Sequence, residues 1–353
     1  MSRPPKLLFP VAIDPVALLD RPAARDRQVH RAVVEVLRDH GVLTLGRVDS
    51  DALLDAIGRI EGDSRTLWVK LLSGLNDLNR IDRGVRAASV ADALLNLSNH
   101  VEIEAAVDLL IAGEEAAKQR GVNFTNGCLT IGETDVVLAA TIDRSPTVSG
   151  AQGIGNYPPG TNRRVIGDEI LRPAAARSGT VTVLDPHLLD HVLGSGRGRR
   201  RDHVEWLVAV FASSLPPGST LAFIGDFPSG RGQCGELLTD ELATSEIERA
   251  IGRALKGRSE PMTVRITLVR GPNPETKMSN RYLNFDCGFA FEVTHDISRL
   301  GSEKSPGPDY LTFRRLNAVE TQALEGIAAG YTGYQTAPAV FQWESQTPLT
   351  GPR

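Results

Sequence analysis

Apolar and polar positions follow two periods along the chain, and the switches between them mark out its elements. The segment KLLFPVAIDP reads as a buried strand that ends at Asp14-Pro15. In ALLDRPAARDRQVHRAVVEVLRDHG, Val29, Val33 and Leu37 recur at helical spacing, with Gly41 as C-cap. VLTLG is a second short strand. Helical patterns follow from Ser50 to Ile60, Ser64 to Leu78 and Ser89 to Lys118, with Gly121 as a stop. GCLTIGETDVVLAATI returns to strand and then helix character, and the Gly- and Pro-rich stretch DRSPTVSGAQGIGNYPPGTNRR reads as a linker or mobile loop. The second half alternates helix and strand: GDEILRPAAARS, GTVTVLDP, RRDHVEWLVAVFASSL, STLAFIGDF, TDELATSEIERAIGRALKG and MTVRITLVRG, then NRYLNFDCGFAFEV as a hairpin. After Tyr331 the Thr-, Gln- and Pro-rich tail reads as disordered.

Strands alternating with helices in both halves predict an α/β fold. A chain of 353 residues exceeds the roughly 100–200 of a usual domain, so two α/β domains are expected. Their boundaries are placed at 1–165 and 166–335, with a disordered tail over 336–353. A 41% hydrophobic and 23% charged composition excludes wholesale disorder. The net charge of -4 means that any contact with nucleic acid must come from a local basic patch. Three scattered cysteines exclude a disulfide scaffold and CxxC zinc modules. The apolar run Leu7 to Ile13 is interrupted by Pro10 and is too short for a signal segment, so a reducing, bacterial-type cytoplasm is the expected compartment.

Both halves begin alike, with AIDPVALLD and VLDPHLLD. One reading is helix capping, with Asp accepting helix N–H bonds and Pro in the first turn. The other puts an acid at the carboxyl edge of a parallel sheet, where α/β proteins bind ligands.

The pieces VTVLDPHLL, HVEWLVAVF, STLAFIGDF, EIERAIGRAL, TVRITLVRG and SNRYLNFDCGFAFEVTHDI match a known order of elements. From about Val181 to Val319 the chain resembles the phospholipase D-like C-terminal domain of MIT-domain proteins. The resemblance implies a sheet flanked by helices, and aligns the phospholipase D motif HxKxxxxD with Ser279 to Asp286. Arg281 stands at the lysine position and Asp286 at the aspartate, but Ser279 replaces the nucleophilic histidine. Serine without an adjacent base is a poor nucleophile, so a phosphate-binding, catalytically degenerate domain is implied. An ion pair between Arg281 and Asp286 at a hairpin is the competing account.

VAIDPVALL, an apolar strand with an aspartate at its tip, resembles the opening of PIN-like nucleases. These gather carboxylates around Mg²⁺ or Mn²⁺ to activate water on a phosphodiester. The candidate catalytic residues are then Asp14, Glu133, Asp135 and Asp143, with Asp14 and Asp135 as metal ligands because each interrupts an apolar segment. Glu102 or Glu104 are further carboxylates, read with Asp143 as solvated surface charge.

Other signals compete. HLLDH puts His187 and His191 one helical turn apart, close to an inverzincin HxxEH with His203 as a third ligand, but Asp stands for the catalytic glutamate. SGAQGIG lacks the GxGxxG order and reads as a linker. GSGRGRRR, with Arg199, Arg200 and Arg201, is either a phosphate-gripping loop or a solvated one. The expectation is therefore a nucleic-acid-acting protein: a metal-dependent nuclease in the first half, a degenerate phosphate-binding domain in the second, and a role in bacterial defence or as an accessory component. The alternative is a non-enzymatic module or scaffold that binds phosphate polymers, protein partners or, less favoured, anionic membrane lipid.

Overall fold

The computed structural model describes residues 4–20, 26–95, 107–119, 121–122, 124, 126–188, 203–226, 240–256, 258, 260–269, 280–295, 297–304, 308–333 and 339–344. The chain forms two compact units, Met1–Ile154 and Gly155–Arg353, each built on its own sheet. The division falls inside the Gly- and Pro-rich connector. That connector is not a structureless linker: it contains the helix Pro146–Gln152, capped by the Ser145 hydroxyl with Pro at its first position.

Among the described residues of the first unit six strands lie in the order β3-β2-β1-β4-β6-β5. These are β1 (Phe9–Ile13), β2 (Gly41–Thr44), β3 (Ile81–Asp82), β4 (Leu109–Ala112), β5 (Cys128–Ile131) and β6 (Thr134–Leu138). All pair in parallel except β5, which forms an antiparallel hairpin with β6. The chain moves outward from β1 through β2 to β3, then returns to the other side of β1 for β4. Strand order therefore reverses between β1 and β4, the position where doubly wound sheets bind ligands. Helices α1 (Arg27–His40), α2 (Asp49–Arg59) and α3 (Gly62–Asp77) join one core layer around Val33, Leu37, Leu53 and Trp68. Helix α4 (Val90–Leu95) and Val107, Leu110 and Val136 belong to a second core cluster.

The helical reading of Ser89 to Lys118 is corrected here. Residues Leu109–Ala112 are strand β4, every one of them buried. A parallel strand covered on both faces is apolar throughout and lacks the alternation that separates strand from helix in a sequence.

One buried cation closes this unit. Arg80, 1% exposed, donates from Nε and Nη2 to the Gly41 carbonyl, from Nη1 to that of Arg38 and from Nη2 to that of Leu37. Leu37 O also accepts from the capping Gly41 N, so the guanidinium adds donors around the end of α1 and the start of β2, where the negative end of the helix dipole favours a cation.

Among the described residues the second unit has eight strands in the order β14-β10-β9-β8-β11-β12-β13-β7. The parallel trio is β8 (Thr180–Leu184), β9 (Ser219–Asp226) and β10 (Met262–Val269). On the other side of β8 lie the antiparallel β11 (Arg281–Phe285), β12 (Phe289–Val293), β13 (Leu311–Arg315) and β7 (Asn156–Tyr157). One face carries Val181, Val183, Leu221, Phe223, Leu283 and Phe285, all fully buried, while Thr182, Ala222 and Asn284 on the other face are only half-buried. The expected tail over 336–353 is also corrected: Ala339–Glu344 is strand β14, antiparallel to β10. Only Val340, Phe341 and Trp343 mark it among polar residues, too few to stand out against its Thr-, Gln- and Pro-rich surroundings.

Arg80→Met should destabilise the first unit by about 3–5 kcal/mol, because several buried carbonyls lose their donors together. A lower urea midpoint for that unit's transition with an unchanged slope is the expected reading; an unchanged midpoint would show that water replaces the guanidinium.

Candidate ligand edges of the two sheets

Each sheet places an Asp-Pro pair where the chain leaves its central strand. In the first unit the Asp14 amide donates to Ile111 O at 2.8 Å, and its carboxylate accepts from Val16 N at 3.0 Å and Gly113 N at 3.3 Å. One side chain thus bridges the ends of β1 and β4 across the reversal. Asp14 is buried, and burial is the largest influence raising its proton affinity above the ordinary carboxylate range. The bonds from Val16 and Gly113 oppose this, and the charges of Asp92 and Asp20 add to it. Asp20 accepts from Glu114 N at 2.7 Å. A Cβ on Gly113 would stand 3.1 Å from Asp20 Oδ2 and 3.2 Å from Asp14 Oδ2, so the two carboxylates converge there.

Asp135 does not share this site. It is level with Leu109, which is level with Val11, whereas Asp14 follows Ile13 at the other end of β1. Two strands of about 4.8 Å and three residues of about 3.3 Å separate the two aspartates. Asp135 works at the amino edge, where its carboxylate accepts from Ser145 Oγ at 2.7 Å, Thr147 N at 2.8 Å and Thr130 Oγ1 at 3.4 Å. These bonds fasten the start of the helix Pro146–Gln152 to the sheet. Asp135 lines a cavity of about 410 Å³ with Lys6, Asp108 and Glu133, and Lys6 pairs with Asp108 at 3.2 Å. Glu133 is exposed in the β5–β6 turn, and Asp143 is exposed on the 3-10 helix Ala139–Arg144. The expected quartet is therefore dispersed. Among the described residues no three Asp, Glu, His or Cys side chains are disposed to hold a metal ion, so no step through Mg²⁺ or Mn²⁺ is derived. Glu102 and Glu104 lie outside the described residues.

In the second unit Asp185 takes the place of Asp14. Its amide donates to Ile224 O at 3.0 Å, and its Oδ1 accepts from His187 N at 2.9 Å, matching the Asp14–Val16 turn. Asp185 is fully buried, and Arg281 Nε stands 3.7 Å from its Oδ1. That Nε is itself buried and makes no hydrogen bond among the described residues. Asp226, which ends β9, reaches the same edge through its amide bond to Pro186 O at 3.2 Å. Gly225 is required here: a Cβ would lie 2.5 Å from Asp185 O.

Arg281 and Asp286 do not meet, either as a phosphate site or as an ion pair. They bracket the extended strand β11, five residues and roughly 17 Å apart. Asp286 instead accepts from Gly179 N at 3.0 Å and Thr180 N at 2.8 Å at the amino edge of β8. His203 is buried with Nε2 2.7 Å from Leu188 O, and His187 is exposed, so neither supports the zinc reading. SGAQGIG forms the end of the helix Pro146–Gln152 and the turn after it. Arg199, Arg200, Arg201 and His191 lie outside the described residues.

Asp20 and Asp92 are absent from the candidates read from the sequence, and Asp185 enters them only as the acid of the second Asp-Pro turn. The signal for Asp20 and Asp185 is the repeated Asp-Pro followed by Leu-Leu-Asp; Asp92, in the first turn of α4, carries none. A scan against protein-family models finds no match, and a search of curated proteins finds none either.

Gly225→Ala should cost about 1–3 kcal/mol, since the new methyl meets backbone and not a movable side chain. Gly113→Ala, facing two carboxylates, should cost less. Thermal unfolding of the two variants tests the order, and equal midpoints would contradict it.

Proposed function

We propose that the protein acts on nucleic acid and that the second unit grips phosphate at the carboxyl edge of β8. The observation that carries this reading is the Arg281 guanidinium, beside fully buried Asp185, with a buried Nε that donates no hydrogen bond among the described residues. A buried donor left without an acceptor is costly, and a phosphate oxygen is the acceptor whose geometry a guanidinium matches best. The Asp185 charge lies 3.7 Å from the fork, and the edge beside the strand-order reversal is where such sheets take ligands. Sequence composition adds support. The connections leaving β8, β9 and β10 (189–202, 227–239 and 270–279) contain Arg197, Arg199, Arg200, Arg201, Arg231, Arg270 and Lys277 against four acids, in a chain of net charge -4.

A hydrolytic role for the first unit is a second reading, favoured by Asp14 with Asp20 and Asp92 beside it. Among the described residues these three are not disposed to hold a metal ion, so the Mg²⁺ or Mn²⁺ expected from the sequence is not assigned to this edge. Bacterial defence or accessory work is the setting that the reading suggests.

Fluorescence anisotropy with labelled single-stranded RNA and DNA tests the grip. Arg281→Ala should weaken binding about tenfold to a hundredfold, as loss of a charge-assisted bond predicts, and Arg281→Lys should recover part of it. Binding unchanged in Arg281→Ala would remove this site. In a cleavage assay with Mn²⁺, Asp14→Asn should abolish any activity that Asp135→Asn retains; equal activity of Asp14→Asn and the parent would end the hydrolytic reading.

A further inference from the structure

The carboxyl edge of the first sheet carries three arginines that the reading above leaves unused. Arg47 follows β2, and Arg83 and Arg86 follow β3; all three are exposed. None makes an ion pair or a side-chain hydrogen bond among the described residues. Arg27, Arg31 and Arg38 in the same unit are each paired with a carboxylate. Arg59 and Arg65, which like Arg47, Arg83 and Arg86 have no partner among the described residues, lie on helices α2 and α3; what sets Arg47, Arg83 and Arg86 apart is their place on one sheet edge.

The backbone beneath them is fixed. Leu45 N donates to Asp82 O at 2.9 Å, Arg47 N to Ala87 O at 3.2 Å and Val48 N to Ala88 O at 3.0 Å, so the two connections run side by side and Arg47 lies opposite the neighbour of Arg86. Gly46 permits the approach, because a Cβ there would fall 2.5 Å from Ala88 O. The buried Asp49 carboxylate accepts from Gly46 N at 2.7 Å and Val90 N at 2.9 Å, fastening one connection to the other. Asp82 Oδ1 holds Gly84 N at 2.9 Å. The acids closest in sequence thus bond the backbone.

We infer that Arg47, Arg83 and Arg86 form a second phosphate-binding surface, which takes successive phosphates of a nucleic-acid backbone along the edge that holds Asp14. The inference rests on the nucleic-acid reading but uses a different unit and different residues. Three guanidinium groups on one stitched platform suit a repeating anion better than a single one. Backbone contacts of this kind give affinity without sequence readout.

The test uses the full chain with all three arginines changed to Ala, beside Arg281→Ala and a triple Arg→Lys variant. Binding to labelled single-stranded RNA and duplex DNA is measured across a salt series. Loss of three phosphate contacts should lower the slope of log affinity against log salt by about 2 for single strands and about 3 for duplex, which at 0.1 M salt is on the order of a hundredfold weaker binding. The lysine triple should keep most of the slope, and circular dichroism should be unchanged because the side chains are exposed. If Arg281→Ala weakens binding and the alanine triple does not, this surface is overturned and the grip at Arg281 stands. If the parent binds neither polymer, both fail. If the alanine triple instead loses binding to phosphatidylserine vesicles while RNA binding holds, the surface serves a membrane and the inference is wrong.

Discussion

Both units depend on a single topological constraint, the reversal of strand order beside a central strand. When a chain winds outward from one strand and then returns to its other flank, the loops at the carboxyl ends diverge and leave a gap. Something must hold the two sides of that gap together. In the first unit the Asp14 carboxylate does so, accepting from Val16 N on its own side and from Gly113 N beyond β4. In the second, Asp185 occupies the same position and draws in Arg281 from β11. Capping and the ligand-edge position are therefore not alternatives in this chain, since one aspartate serves as local cap and as edge acid at once.

The pattern of apolar residues located most elements because amphipathic helices such as α1 and short strands between turn residues leave a periodic trace. It failed where burial erases the period, at β4, and where a strand depends on a partner distant in sequence, as β14 depends on β10. The candidate site was less legible. Asp14 was visible from its Asp-Pro turn, but its neighbours Asp20 and Asp92 reach it through a loop and a crossover whose geometry no local pattern records.

The two corrected pairings share one cause. Asp14 with Asp135, and Arg281 with Asp286, were joined by the chemistry of their residue types, whereas strand register separates them. Leu109 is the common reference that puts Asp135 at the amino edge, and five residues of extended chain carry Asp286 away from Arg281. Residue types name a chemistry; register decides which of them meet. The acids sent to the amino edges, Asp135 and Asp286, turn out to anchor a helix start and a strand start.

Strand β14 has a consequence for how the second unit comes into being. Its residues 339–344 cover the outer flank of β10, whose Met262–Val269 are complete some seventy positions earlier. During synthesis β10 therefore emerges with a row of unpaired amides and carbonyls on that flank, which any neighbouring nascent chain can copy. Until the last strand arrives, the ribosome-bound intermediate carries its own template for misassembly.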